Sequence, residues 1–279
     1  MIEARNLFRL ESKLKRGDKT IPVKALEKDY VISWILIGIA SSKIYDILAF
    51  KGGTALKKFY FSDYRFSEDM DFTLLNDVPI EEIDRILQAV YAIVLEKSNI
   101  GLALKSKETH TNGFTFFMNF SGPLGADISR GEIKTDFTLN EKLINQPIVK
   151  TLLREYDEYQ DIPEGVRLKV YPLEEIFIEK YLAILDTSRN EPRDVYDLWY
   201  LTSNRCLEFT HLGAQIKDKG IYKSVKSFNM LEAFDHKEQN YKNLWVARLD
   251  THVVDLPPFE KVYRELRRHL RPLNDVFKN

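Results

Sequence analysis

Two adjacent glycines, Gly52 and Gly53, stand between "DILAFKG", which leaves a helix and enters a short strand, and "GTALKKFYF", which opens a helix. Strand, glycine turn and helix in that order leave the backbone few choices. Glycine has no Cβ, so the chain can approach another group closely there. A helix opening at Thr54 aims its unpaired N–H groups at whatever lies before it, and phosphate oxygens suit that position. Thr54 or Ser67 can add a hydroxyl to the same place.

Downstream comes Ser-Glu-Asp-Met-Asp, and "MDFTLL" alternates as a strand does. Residues two apart on a strand share a face, so Asp69 and Asp71 are expected side by side. Two such carboxylates repel unless a cation lies between them. Mg2+ suits the pair because it takes oxygen ligands and keeps waters and phosphates as partners. Asp136, inside the strand-like "GEIKTDFTL", offers a third carboxylate from a neighbouring strand. Three carboxylates on adjacent strands can hold two metals. Taken singly, a glycine pair is an ordinary turn and Asp-x-Asp an ordinary acidic edge. Their order and spacing give the combination its meaning: a site for a nucleoside triphosphate and metal ions.

Around this core the patterns alternate. Residues 22–45 read as helical, "PIEEIDRILQAVYAIVLEKS" as a helix with proline at N1 and acids in its first turn, and "GLALKSKETHT" with "GFTFFMNFSG" as a hairpin about a Thr-Asn-Gly turn. "VRLKVY" is one more strand. From Pro172 the pattern turns helical: "PLEEIFIEKYLAILDTS", "RDVYDLWYLTSN", "LEFTHLGAQIKDKG", "VKSFNMLEAFDHKEQNYKNLW" and "PPFEKVYRELRRHLRP". The expectation is an α+β chain, with residues 1–171 as N-terminal helices plus the sheet-bearing core and residues 172–279 as a helical domain.

A net charge of -1 gives no general attraction for nucleic acid, so any RNA contact needs a local basic patch. Arg264, Arg267, Arg268 and Arg271 cluster near the C-terminus; their bland reading is a solvated helix face, and their functional one is contact with an RNA backbone. The single cysteine, Cys206, permits no intrachain disulfide and reads as a small buried hydrophobe. The apolar stretch "YVISWILIGIASSKIYDILAF" is broken by polar residues, its clean run well short of the ~20 residues a membrane helix needs. It reads as a buried core helix followed by a strand, in a cytoplasmic protein without a signal peptide. The five histidines show no metal-ligand spacing.

"KGGTAL" followed by "RFSEDMDF" resembles the AbiEii/AbiGii-type nucleotidyltransferase toxins, which include the MenT proteins and belong to the DNA polymerase beta-like superfamily. "SGPLG" with "IKTDFTLNE", "YPLEEIFIEKYLAI" and "PRDVYDLW" continue the likeness in the family's order, from Phe50 to Leu201. The resemblance implies a nucleotidyltransferase-type mixed sheet flanked by helices. It makes Gly52 and Gly53 the phosphate-loop glycines, Asp69 and Asp71 the catalytic metal ligands, and Asp136 a third carboxylate. It makes Lys180 the family's essential lysine and Asp194 or Asp197 its essential aspartate. Where the family has glycine or serine, this chain has Gly53, so the loop carries no side-chain hydroxyl there.

Without the family, Lys180 reads as exposed opposite an apolar stripe of Phe177, Tyr181 and Ile184 or as snorkelling across it, Asp194 as a helix-start carboxylate, and Asp197 as the i,i+4 ion-pair partner of Arg193. Tyr196, Trp199 and Tyr200 read as core rather than as platforms for bases. The implied activity is Mg2+- or Mn2+-dependent transfer of an NMP from an NTP to an acceptor hydroxyl. The acceptor would be the 3′ end of tRNA, in a toxin–antitoxin or abortive-infection system with an AbiEi-type antitoxin. The alternatives are transfer to a small molecule such as an antibiotic, or a nucleotide-binding module without turnover.

Overall fold

The computed structural model describes residues 1–125, 131–204 and 206–277. Helices α1 (Ala4–Leu14) and α2 (Val23–Ala40) come first. A 3-10 turn at Lys43–Ile47 then leads into strand β1 (Leu48–Lys51) and directly into helix α3 (Gly52–Phe59). Strand β2 (Met70–Leu74), helix α4 (Ile80–Ser98) and the hairpin β3 (Gly101–His110) and β4 (Gly113–Ser121) follow. Strands β5 (Gly131–Thr138), β6 (Ile148–Thr151) and β7 (Arg167–Val170) complete the sheet. Helices α5 (Leu173–Leu185), α6 (Pro192–Ser203), α7 (Gly213–Tyr222), α8 (Met230–His236), α9 (Glu238–Leu249) and α10 (Phe259–Val276) make up the rest.

The chain divides into two units. One contains Met1–Glu141, Pro147–Val170 and Thr251–Val254; the other contains Lys142–Gln146, Tyr171–Asp250 and Asp255–Asn279.

The first unit is an α+β body around a seven-stranded mixed sheet of order β3-β4-β5-β2-β1-β7-β6. Strand β2 runs antiparallel to β1 and parallel to β5. Pairing sets Phe50, Phe72, Phe137 and Phe114 in one cross-strand row, all buried, with Phe50 and Phe72 ring centroids 4.8 Å apart. Side chains alternate along each strand, so this aromatic row assigns the next one, Lys51, Asp71, Asp136 and Thr115, to the opposite face. Helix α2 is buried along nearly its whole length, as its apolar sequence requires. Among the described residues no helix is long and apolar enough to cross a membrane.

Several local expectations need correcting. Pro79 is the N-cap of α4, not its first helical residue. Strand β6, unanticipated, exists as the antiparallel partner of β7. "VKSFNMLEAFDHKEQNYKNLW" forms two helices divided at Lys237, whose buried ammonium donates to the carbonyls of Ile184, Asp186 and Arg189 at 2.7, 2.5 and 2.8 Å. Helix α10 continues through Pro272 to Val276. Cys206 is half-buried rather than fully enclosed.

Candidate active site

The glycine pair meets the acidic strand directly. Gly52 has φ +81°, a conformation that side chains disfavour, and a Cβ there would lie 2.6 Å from Asp71 Oδ2. A Cβ on Gly53 would lie 2.4 Å from Arg65 Nη2 and 3.5 Å from Ser67 Oγ. Thr54, fully buried, donates its hydroxyl to the Asp69 carbonyl at 2.5 Å. That bond ties the first turn of α3 to the start of the acidic strand. So Gly52, Gly53, Thr54, Ser67, Asp69 and Asp71 converge at one helix N-terminus, with Asp69 and Asp71 partly exposed.

Two neighbours of this loop were not anticipated. Arg65 is buried against Gly53 and donates to the Phe66 carbonyl at 3.2 Å. Its place two residues before Ser67 was the available signal. Glu68 accepts from Lys28 at 2.6 Å and lies 3.3 Å from His252. The hydrogen bond from His252, helped by Lys28 and outweighing burial, holds the Glu68 carboxyl at about 2. The Phe66 N–H also donates to the His252 carbonyl at 2.8 Å.

Asp136 stands beside Asp71 in the β2–β5 register. Both its oxygens are engaged: Thr115 donates to Oδ1 and Lys134 to Oδ2, each at 2.6 Å. Lys134 lies two residues before Asp136 on the same strand face, so the alternation that relates Asp69 to Asp71 would have found it. Among the described residues no three His, Cys, Asp or Glu side chains assemble as a metal-holding group. Asp69 and Asp71 carry hard oxygen donors, which is the donor chemistry Mg2+ or Mn2+ takes. The residues present fit an ion held by two carboxylates, with its other positions left to water and phosphate oxygens.

In the second unit, Lys180 bridges two buried aspartates: its ammonium lies 2.7 Å from Asp194 Oδ1 and 2.7 Å from Asp197 Oδ2. Arg189 adds a bond to Asp194 Oδ2 at 2.6 Å. Burial opposes ionisation of Asp194, but the Lys180 and Arg189 charges outweigh it and hold its carboxyl below the usual range. The reading of Lys180 as an exposed residue opposite an apolar stripe therefore fails. Arg193 lies 3.1 Å from Glu191. Tyr196 is buried, and Trp199 donates its indole N–H to Glu265 at 2.8 Å, a packing role. On α10, Arg264, Arg268 and Arg271 are exposed with Lys261 on one helical stripe, while Arg267 turns to Asp235 at 2.6 Å.

Over residues 34–265 the chain matches the family described as nucleotidyl transferase AbiEii toxin, type IV TA system. Among solved structures it is similar to MenT4, a nucleotidyltransferase toxin from Mycobacterium tuberculosis H37Rv, with a TM-score of 0.67 and 16% identity over 99% of this chain and 90% of that one. It is also similar to JHP933 from Helicobacter pylori, with a TM-score of 0.59 and 16% identity over 92% of this chain and 95% of that one. At such identities the likeness is one of fold. No curated protein matches the chain in sequence.

Proposed function

Because the chain belongs to the AbiEii nucleotidyltransferase toxin family, we propose that it moves an NMP from an NTP to the 3′ end of tRNA, using a divalent cation. Family membership makes it a nucleotidyltransferase toxin of a toxin–antitoxin system, with an NTP as substrate and an antitoxin as partner. The cation, the acceptor and an AbiEi-type identity for the antitoxin are our reading. The reaction belongs in the cytoplasm, where both substrates occur.

The observation that carries this reading is the approach of Gly52 to the Asp71 carboxylate at the start of α3. A loop without side chains, backed by helix N–H groups, can accept phosphate oxygens beside the carboxylates that would hold the ion. Asp69 and Asp71 would be its ligands; when bound, it supplies charge neutralisation on the phosphates as the acceptor oxygen attacks. The acceptor oxygen forms a bond to the α-phosphorus, the α–β bridging bond breaks, pyrophosphate leaves with that electron pair, and the hydroxyl proton passes to water. Arg65, buried at Gly53, stiffens the loop from behind. In the other unit, Asp194 and Asp197 hold the Lys180 ammonium in one place, and we assign it the role of the family's essential lysine.

RNA is favoured over a small acceptor by the exposed stripe Lys261, Arg264, Arg268 and Arg271, four cations in a chain of net charge -1. The test is incubation with each labelled NTP, Mg2+ and total tRNA. Label at the tRNA 3′ end, lost in Asp71→Ala, is expected. Label only on added aminoglycosides would favour the antibiotic reading, and NTP binding without turnover the non-catalytic one.

A further inference from the structure

The polar face of the sheet carries a cation of its own. Lys134, 41% exposed, lies 2.6 Å from Asp136 Oδ2. Met70 and Thr135 are paired in β2 and β5, and Asp71 and Asp136 one step beyond; Lys134 precedes that pairing on β5 as Asp69 precedes it in the chain leading into β2. One ammonium therefore holds one carboxylate beside the strand where two others are expected to take an ion. We propose that Lys134 is an internal rival of the divalent ion: it holds Asp136 out of the ligand set, partly neutralises Asp69 and Asp71, and so sets how tightly the ion binds.

This rests on the reading of Asp69 and Asp71 as ion ligands. Two observations carry it beyond that reading. The Asp136 carboxylate is otherwise well placed, in register beside Asp71 on the same sheet face. Its second oxygen takes a neutral hydroxyl, from Thr115, so Lys134 is its one charged hydrogen-bond partner among the described residues. A lysine ammonium is cationic at neutral pH, and the two positive charges compete for the same oxygens. A protein that binds its ion only moderately becomes dependent on the phosphates of the incoming triphosphate to complete the ligand set. Lys134 thus couples ion binding to nucleotide binding.

The test is a titration with Mn2+ alone, followed by the electron paramagnetic resonance signal of the unbound ion, on the full chain. Lys134→Met is expected to bind Mn2+ about tenfold more tightly, a figure already discounted for the partial exposure of the lysine. The double variant Lys134→Met/Asp136→Asn should return close to wild-type affinity, because the released carboxylate is gone. Without ion, Lys134→Met should melt at a lower temperature than wild type, and Mn2+ should raise its melting point by more. Lys134→Gln serves as the second variant should methionine disturb the strand. Wild-type or weaker Mn2+ affinity in both lysine variants overturns the proposal, as does a gain that survives Asp136→Asn. Should Asp71→Asn bind Mn2+ as wild type does, the ion site itself falls and Lys134 with it. Loss of binding in Asp71→Asn alongside unchanged lysine variants removes only the rivalry.

Discussion

A methyl group at position 52 would have to share space with the Asp71 carboxylate, in a backbone conformation that only glycine adopts cheaply. Gly52→Ala is therefore expected to cost about 1–3 kcal/mol in urea denaturation and to displace Asp71. Asp71→Asn leaves the shape intact and removes a charge, so its melting point should stay near wild type while nucleotide transfer falls by about a hundredfold or more. Comparing the two variants separates geometry from charge at one point of the site. Asp194 carries the pH signature of the second unit. Its carboxyl is held below the ordinary value in the folded chain. The stabilisation is thus fully present above about pH 4, where an unfolded aspartate is ionised, and is lost as pH falls through the lower folded value. Acid denaturation curves should show this limb in wild type and a flatter one in Asp194→Asn. These residues differ in how legible they were. Gly52, Gly53, Asp69 and Asp71 could be read because one strand, one turn and one helix start place them locally. The bridge from Lys180 to Asp194 and Asp197 joins two helices, and helical spacing within either one says nothing of it.

Helix α3 shows what an element hides. "GTALKKFYF" reads only as the opening of a helix, and within it Lys57 and Lys58 are both fully buried. Lys58 lies 2.7 Å from Asp29 of α2 and 2.8 Å from Glu155, while Lys57 donates to Tyr156 at 2.9 Å and to the Ser62 carbonyl at 2.8 Å. Burial, with the Asp29 charge nearby, pushes the Glu155 carboxyl up. Lys58→Met would strand Asp29 without its cation and leave Glu155 only Lys57 at 3.6 Å, and is expected to cost about 3–5 kcal/mol by denaturant titration. Adding Asp29→Asn and Glu155→Gln should recover much of it. Nothing in the local pattern distinguishes such a pair from a solvated one, because the acids come from elsewhere in the chain. Strands β2 and β5 were legible through alternation. Strand β6 was not, since four residues after Pro147 carry too little pattern and take their form from β7. On α10, replacing Lys261, Arg264, Arg268 and Arg271 with glutamine should weaken tRNA binding in fluorescence anisotropy. The salt slope should fall by about 1 for each phosphate that the variant no longer neutralises.

At the scale of the whole molecule, the toxin reading has a cellular consequence. Induced expression in bacteria should arrest growth, and Asp71→Asn should not. The change from mixed to helical pattern at Pro172 was plain in the sequence. The return of Thr251–Val254 to the first unit was not, because four residues between helices carry no mark of the body they join. They matter to the acidic loop: Phe66 donates to the His252 carbonyl and Glu68 pairs with the His252 ring, immediately before Asp69. During synthesis, helices α4 to α9 must all be made after that loop before His252 emerges to grip it. Polypeptides released early, from a stalled or cleaved transcript, would carry every glycine and aspartate of the motif and still lack the clamp that steadies them. A chain ended after Asp250 should thus be far less toxic than its intact motif suggests.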